Sequence, residues 1–506
     1  MAMKLLGIDI GTSGTRAVLL DSTGRVVSSA TIEHAPISSP HPGWAEQHPH
    51  DWWSAACRAI PECLRRGNTS AAEIGGIGLT GQMHGLVMLG SDDEVLRPSI
   101  IWCDQRTEDE CRAITEKIGA QRLIELTANP AVAGFTLPKI WWVQKHEPEI
   151  WARVRSILLP KDYVRFRLTG ARVIDVADAS GTLLLDVVNR RWSVPMMEAS
   201  HVNENLLPRV FESQEVASHV SEEGARTTGL RAGIPVVAGA GDQAAGAVGM
   251  GIVRPGAVSA TIGTSGVVFA ATASPLLDPK GRIHTFCHAV PNRWHVMGVT
   301  QAAGYSLRWF RDQFGAGAAS EGNAAQDPYD RLMEVASKAP AGANGLLWTP
   351  YLMGERTPHL DAHARAALVG LTSTHTRAHV VRAILEGVAF SLRDTFTIFS
   401  ELKLPVESIR LGGGGARGAL WRQIQADVYG MPVDLVEAEE GPAYGAALLA
   451  GVGTGVWPSV EKACESAVRV ARRVEPEKKN IALMDRQYAA FRKVYPALRD
   501  IMHELS

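Results

Sequence analysis

The sequence predicts an α/β protein built as two related halves that face each other across a cleft. Three observations carry that expectation. The first is length, because 506 residues exceed one compact core and fit about three units, or two large ones, by the length rule. The second is a repeat. Leu5-Leu-Gly-Ile-Asp-Ile-Gly-Thr-Ser-Gly14 runs into Thr15-Arg-Ala-Val-Leu-Leu-Asp21, and Ala257-Val-Ser-Ala-Thr-Ile-Gly-Thr-Ser-Gly266 runs into Val267-Val-Phe-Ala-Ala271. The tetrapeptide Gly-Thr-Ser-Gly thus recurs, about half a chain later, at the tip of a strand–turn–strand pattern. The third is a pair of stretches rich in Ala and Gly, Gly241 to Gly251 and Gly441 to Gly451. Such helices let another backbone approach closely, which suits a joint between domains. Pro and Gly interrupt the pattern at Ile252-Val-Arg-Pro-Gly256, so the halves are divided as 1–253 and 254–506.

Composition narrows the function classes. Formal net charge is −2 with 21% charged residues, which recruits neither nucleic acid nor an anionic membrane. The apolar run from Met3 is broken by Asp9, and no stretch of about 18 apolar residues follows. Six cysteines without a Cys-x-x-Cys pair read as reduced thiols in a cytoplasmic protein.

Taken in order, the first hairpin carries Gly11, Thr12 and Ser13 at its tip. Glycine there lets backbone N–H groups point at a phosphate and the hydroxyls add donors without bulk; an ordinary polar turn is the alternative. Ser38 to Trp53 reads as a Pro-rich, solvated loop entering a helix, and its histidines 41, 48 and 50 lack metal-ligand spacing. Ile74 to Gly85 is a Gly-rich strand ending in Gln82, Met83 and His84, where an imidazole could meet a hydroxyl-rich ligand or pair with backbone. Ile100 to Ile101 ends a further apolar strand before Asp104 and Arg106, which can also form a local ion pair. Val236 and Val237 form a short strand, and Asp242 falls at the N-cap of the first small-residue helix. A plain cap is one reading of that acid; a catalytic carboxylate on the joint is the other.

In the second half, Gly263, Thr264 and Ser265 repeat the phosphate-loop pattern. Gly315 to Gln326 reads as a surface loop. Ser408 to Gly418 contains a formal Gly-x-Gly-x-x-Gly with Glu437 at the dinucleotide distance, so a nicotinamide site competes with an adenosine lying flat on Gly413, Gly414, Gly415 and Ala416 beside Arg417. The late position of the run, and the two hairpins a dinucleotide leaves idle, favour ATP. Tyr488, Phe491, Tyr495, Leu498 and Met502 mark the packing face of a terminal helix.

With these residues assembled, the chain resembles the FGGY carbohydrate kinases from about residue 4 to about residue 450. Gly134-Phe-Thr-Leu-Pro-Lys-Ile-Trp-Trp-Val-Gln-Lys-His146 fits the first signature of that family, and Ala366-Ala-Leu-Val-Gly-Leu371 followed by His379-Val-Val-Arg-Ala-Ile-Leu-Glu386 fits the second. Gly81-Gln-Met-His-Gly85, Leu159-Pro-Lys-Asp-Tyr163, Asp178-Ala-Ser-Gly-Thr182 and Gly354-Glu-Arg-Thr-Pro-His359 are nearest to its xylulose-kinase branch. Ala366 and Val369 replace the Gly and Phe frequent there, and Gln243 replaces a frequent Asn.

The resemblance implies two actin-like ATPase (ribonuclease H-like) domains, sugar-binding first and nucleotide-binding second, with Mg-ATP and a pentulose between them. It makes Asp242 the general base and Met83 and His84 sugar contacts, joined by Gln82 and Asp104. It places Asp9 and Asp242 beside Mg²⁺ and the two hairpin tips and Gly413 to Arg417 on ATP. The expected reaction is phosphorylation of D-xylulose, with another ketose or a polyol as the alternative acceptor; a homodimer is left open.

Overall fold

The computed structural model describes residues 3–314 and 327–505; the connection expected as a surface loop, 315–326, lies outside the described residues. Two mixed sheets organise the chain. In the first half, β1 (Lys4–Ile10), β2 (Gly14–Leu20) and β3 (Val26–Glu33) form an antiparallel meander, followed by helix α1 (Pro49–Arg66). Strand β4 (Ile74–Gly81) then pairs parallel to β1. Helices α2 (Thr136–His146) and α3 (Pro160–Thr169) and the short α4 (Val176–Ser180) precede β5 (Val216–His219), β6 (Pro235–Val237), β7 (Ala240–Gly241) and α5 (Asp242–Gly249). The spatial order is β5-β6-β4-β1-β2-β3, with β7 continuing beside β4.

The second half repeats this. Strands β8 (Gly256–Ile262), β9 (Gly266–Thr272), β10 (His284–Cys287) and β11 (Trp294–Thr300) lead to α6 (Ala303–Phe314) and α7 (Arg377–Glu401). Then come β12 (Val406–Gly413), α8 (Ala419–Tyr429), β13 (Val433–Val436), α9 (Pro442–Gly453), β14 (Val470–Val474) and α10 (Lys478–Glu504). Here the order is β10-β11-β9-β8-β12-β13-β14. Without the added edge strand β10 the two orders match: a three-stranded meander, two parallel strands and an antiparallel edge. This is the actin-like pair of domains that the repeat foreshadows.

The strands are buried on both faces where the parallel core lies, as such sheets require. Leu6, Ile8, Ile77 and Leu79 pack with Trp52 and Ile60 of α1 and Val164 of α3. The opposite face is covered by α9, which comes from the other half of the chain. Its contact with β1 and β4 is backbone to backbone: an ideal Cβ on Gly7 would lie 1.9 Å from the Ala443 carbonyl oxygen, and one on Gly78 2.0 Å from that of Ala446. Helix α5 presses on α9 in the same way, since a Cβ on Gly445 would fall 1.8 Å from the Ala245 carbonyl oxygen. The small-residue texture thus serves the joint, but one of the two helices has crossed to the other half's sheet.

On the β10 side the halves are sewn together by hydrogen bonds. Asn129 donates to the Thr285 carbonyl (2.8 Å) and accepts from its N–H (3.1 Å), and the Cys287 N–H donates to Ser180 Oγ (3.0 Å). Among the described residues no helix is long and apolar enough to cross a membrane.

Candidate active site

Parallel pairing decides which residues meet. Ile10 of β1 and Gly241 of β7 both sit opposite Gly81, the last residue of β4. Asp9, the segment Gln82 to His84 and Asp242 therefore emerge together at the carboxyl ends of three strands, beside the first hairpin tip. This is where open α/β sheets place ligands.

Asp242 is not the helix cap that local sequence suggests. It is the first residue of α5, and Gly241 takes the cap position. Its carboxylate is held by the residue that follows it, with Gln243 Nε2 donating at 3.3 Å and the Gln243 backbone N–H bonding it as well. Burial raises its pKa to about 6. Gly241 is needed for a second reason: a Cβ there would lie 2.8 Å from Met83 Cγ, so Met83 packs directly against the approach to Asp242. Asp9 is pushed up further, to about 7, by burial and by the negative charge of Asp242, with Arg16 pulling the other way. One Asp9 oxygen, Oδ1, is buried without a hydrogen-bond partner. Two buried carboxylates, Asp242 raising the proton affinity of Asp9 and Asp9 carrying an orphaned oxygen, are the donor set a divalent cation takes.

The first hairpin tip is braced by residues that spacing did not single out. Gln47 Nε2 donates to the Thr12 carbonyl (2.7 Å), and Trp102 Nε1 donates to Thr12 Oγ1 (3.0 Å). Gln82 Nε2 donates to Gln47 Oε1 (2.8 Å). The loop before α1 is thus not wholly solvated, because Glu46 and Gln47 form a short buried strand paired with Ser99–Ile100. Gly11 closes the turn onto the Gly14 carbonyl (3.0 Å), while Ser13 stays exposed.

His84 stands in the left-handed region (φ 68°). Its Nδ1 lies 2.9 Å from the Gly181 carbonyl, which can only accept, so Nδ1 carries the proton and Nε2 is a lone-pair acceptor. Burial and the nearby Lys139 ammonium hold the ring well below the usual histidine range, hence neutral. The imidazole stacks on Phe135, with centroids 4.7 Å apart. Helix α4 supplies the carbonyl behind it, and α4 is fixed by a charge cluster. Lys161 Nζ reaches Asp162 (2.7 Å), Asp175 (2.7 Å) and Asp178 (2.8 Å), all 0% exposed. Lys161 fills the centre of that carboxylate group, so the cluster is a buried ion pair and not a metal site. The segments Leu159 to Tyr163 and Asp178 to Thr182 carry most of this cluster, a role no local pattern announced.

Asp104 has different employment from the sugar contact expected of it. It is 0% exposed, and its oxygens accept from Arg106 (2.7 and 2.9 Å) and from the Ala45 N–H. The ion pair with Arg106 is the reading its geometry supports.

The second hairpin tip opens on a cavity of about 460 Å³, the size of a small-molecule site. Gly263, Thr264, Gly414, Gly415 and Arg417 line it, with Trp421 at its wall. The start of α6 is stitched to the tip, since the N–H groups of Gly304 and Tyr305 donate to the carbonyls of Gly263 (3.0 Å) and Thr264 (3.1 Å). Ser265 follows, its carbonyl accepting from Gly263 N–H (2.9 Å). The glycine run divides its labour. Gly413 (φ 72°) and Gly415 let the turn fold over Ile262, and Gly414 has nothing closer to an added Cβ than the Ile262 carbonyl oxygen at 3.9 Å. Ala416 turns into the core, so it can offer a ligand only backbone. Glu437, the acid a dinucleotide would need, lines a separate cavity beside Thr23 and Arg469.

Comparison with known proteins agrees with this geometry. The N-terminal domain of the FGGY family of carbohydrate kinases matches residues 4–249, and its C-terminal domain matches residues 258–454. A xylulose kinase of Bacillus subtilis (strain 168) is 39% identical over 98% of this chain and 97% of its own length. A gluconokinase of the same organism is 32% identical over 90% of this chain and 88% of its own. The crystal structure of a xyloylose kinase from Brucella ovis, 36% identical, superposes with a TM-score of 0.90 over 98% of this chain and 100% of that one.

Proposed function

The chain belongs to the FGGY family of carbohydrate kinases, so it is an ATP-dependent sugar kinase, and we propose that it transfers the γ-phosphoryl group to the 5-hydroxyl of D-xylulose. The observation that carries the mechanism is the Asp242 carboxylate, buried at the joint between the halves at the start of α5 and held there by Gln243.

Phosphoryl transfer asks for alignment and charge neutralisation more than for covalent chemistry. Residues 1–253 hold the sugar and residues 254–506 the nucleotide. Met83 and His84 form the wall against which the pentulose lies, and the neutral His84 accepts a hydrogen bond from a sugar hydroxyl at Nε2. Gln82 braces that wall through Gln47. Asp242 takes the proton of the attacking hydroxyl as its oxygen bonds the γ-phosphorus and the bond from that phosphorus to the bridging oxygen breaks, releasing ADP, a role worth roughly 10²–10⁴-fold. Adenosine rests on Gly413 to Arg417 in the large cavity, and the tips Gly11-Thr12-Ser13 and Gly263-Thr264-Ser265 offer N–H and hydroxyl donors to the phosphates. Asp9, with Asp242, would hold Mg²⁺, which neutralises phosphate charge.

Asp242→Asn tests the reading. The variant keeps its fold and its ATP binding and loses sugar phosphorylation; turnover near that of the unaltered enzyme removes Asp242 from the mechanism. A coupled ADP-release screen over pentuloses, hexuloses, pentitols, glycerol and a sugar acid tests the acceptor, with D-xylulose expected to give the highest kcat/KM.

A further inference from the structure

Arg356 is a cation that the reaction as described does not use. It belongs to the second half, following Glu355 in the segment before a short turn, and its guanidinium has no acceptor at hydrogen-bonding distance among the described residues. Yet it is not a free surface side chain. Its Nη2 occupies a slot at Gly134, 3.2 Å from where a Cβ on that glycine would stand, and the same spot lies 2.9 Å from the Trp102 carbonyl oxygen. Both neighbours belong to the first half. The slot exists because residue 134 has no side chain, and Trp102 is the residue that bonds Thr12 at the hairpin tip.

The charge of Arg356 is felt by His84, His284 and Lys139, lowering the proton affinity of each. The guanidinium therefore lies within electrostatic reach of the wall assigned to the sugar. Its backbone is tied to the other substrate's side of the cleft. The Arg356 N–H donates to Glu355 Oε1 (2.7 Å), which also takes the Gln301 N–H (3.0 Å). Glu355 Oε2 accepts from Thr300 Oγ1 (3.0 Å), and Thr300 pairs with Gly266 at the foot of the second hairpin tip. Glu355 is 2% exposed, so this anchor is rigid.

An unpaired, half-buried guanidinium is costly unless a ligand supplies acceptors. We propose that Arg356 is a sugar-binding residue contributed by the nucleotide half, its N–H groups donating to oxygens of the bound ketose on the side of Gly134 and His84. The contact joins sugar occupancy to the phosphate hairpin through Glu355 and Thr300, so bound sugar draws the halves together. The planar fork suits a carbonyl and an adjacent hydroxyl taken together, which makes the residue a determinant of ketose over polyol.

The inference rests on the sugar lying beside His84, and the test separates the two. Calorimetric binding of D-xylulose and of ATP is measured for the full-length enzyme and for Arg356→Gln, Arg356→Lys and His84→Asn. Expected is a roughly 10- to 100-fold loss of xylulose affinity in Arg356→Gln, the worth of one or two charge-assisted hydrogen bonds. ATP affinity and melting temperature stay unchanged, and Arg356→Lys recovers part of the loss. The preference for a ketopentose over its polyol narrows in parallel. Unchanged xylulose affinity in Arg356→Gln, with His84→Asn weakened, overturns the role of Arg356 alone. Unchanged affinity in both overturns the location of the sugar. A fall in kcat with sugar binding intact would assign Arg356 to the phosphoryl group and refute the proposal, as would equal losses for both ligands.

Discussion

Replacing Gly445 by Ala adds one methyl group at the place where α5 and α9 touch. On the present backbone that methyl carbon would stand 1.8 Å from the Ala245 carbonyl oxygen and 2.9 Å from the Gly249 nitrogen. Real Cβ atoms essentially never come closer than 3.0 Å, so the helices must part by at least the difference, 1.2 Å. No flexible side chain can absorb the shift, because both obstacles are backbone. Overpacking of this kind costs about 1–3 kcal/mol, and here it acts on the helix that begins with Asp242. A displacement of about 1 Å at a reacting group can cost roughly 10²-fold in rate. Gly445→Ala is therefore expected to lower kcat by one to two orders of magnitude and to lower the urea midpoint. Gly246→Ala is the control: it lies in the same helix as Asp242, but its added Cβ meets only Pro442 Cγ at an ordinary 3.7 Å, so activity is retained. Steady-state rates and urea unfolding decide the matter. If Gly445→Ala retains full kcat, the joint does not set the position of the base.

Three further outcomes follow from the site. His84→Ala removes the Nε2 acceptor and should raise the KM for pentulose roughly 10-fold with little change for ATP; equal changes would show that the ring only supports the fold. Lys161→Met leaves buried Asp162, Asp175 and Asp178 with Arg165 as their remaining cation, and loss of a buried partner costs about 3–5 kcal/mol, so the unfolding midpoint should fall sharply, whereas an unchanged midpoint would contradict the pairing. Asp9, with its pKa pushed up to about 7, must lose a proton to hold Mg²⁺. Metal affinity should therefore rise with pH up to about 7 and level off above it; because Asp242 contributes to that elevation, Asp242→Asn should move the break downward. A flat profile across pH 5 to 8 would exclude Asp9 as a ligand.

Local pattern carried much of this molecule. The hairpins at Gly11 to Gly14 and Gly263 to Gly266, the strand into Gln82 to His84, the small-residue helices and the two-domain plan all follow from periodicity and turn chemistry, which act within a few residues. What lay beyond reach was each contact between distant segments. Sequence places Asp242 at a helix start, but only the packing of Met83 against Gly241, and Gly241 rather than Asp242 taking the cap position, separate a base from a capping acid. It pairs Asp104 with Arg106 without deciding which of them, if either, sees ligand; burial decided that. Gln47 and Trp102 brace the Thr12 tip from 35 and 90 residues away, and Arg356 crosses to Gly134. Helix α9 looks like the second half's own hinge and instead lies on the first half's sheet, because an all-small surface fits any equally small surface and the choice between them is made by tertiary complementarity. Composition and spacing thus determined the parts and the chemistry each could perform, while the side on which each part docks, and so which groups share the cleft, was settled by packing between residues that the chain keeps far apart.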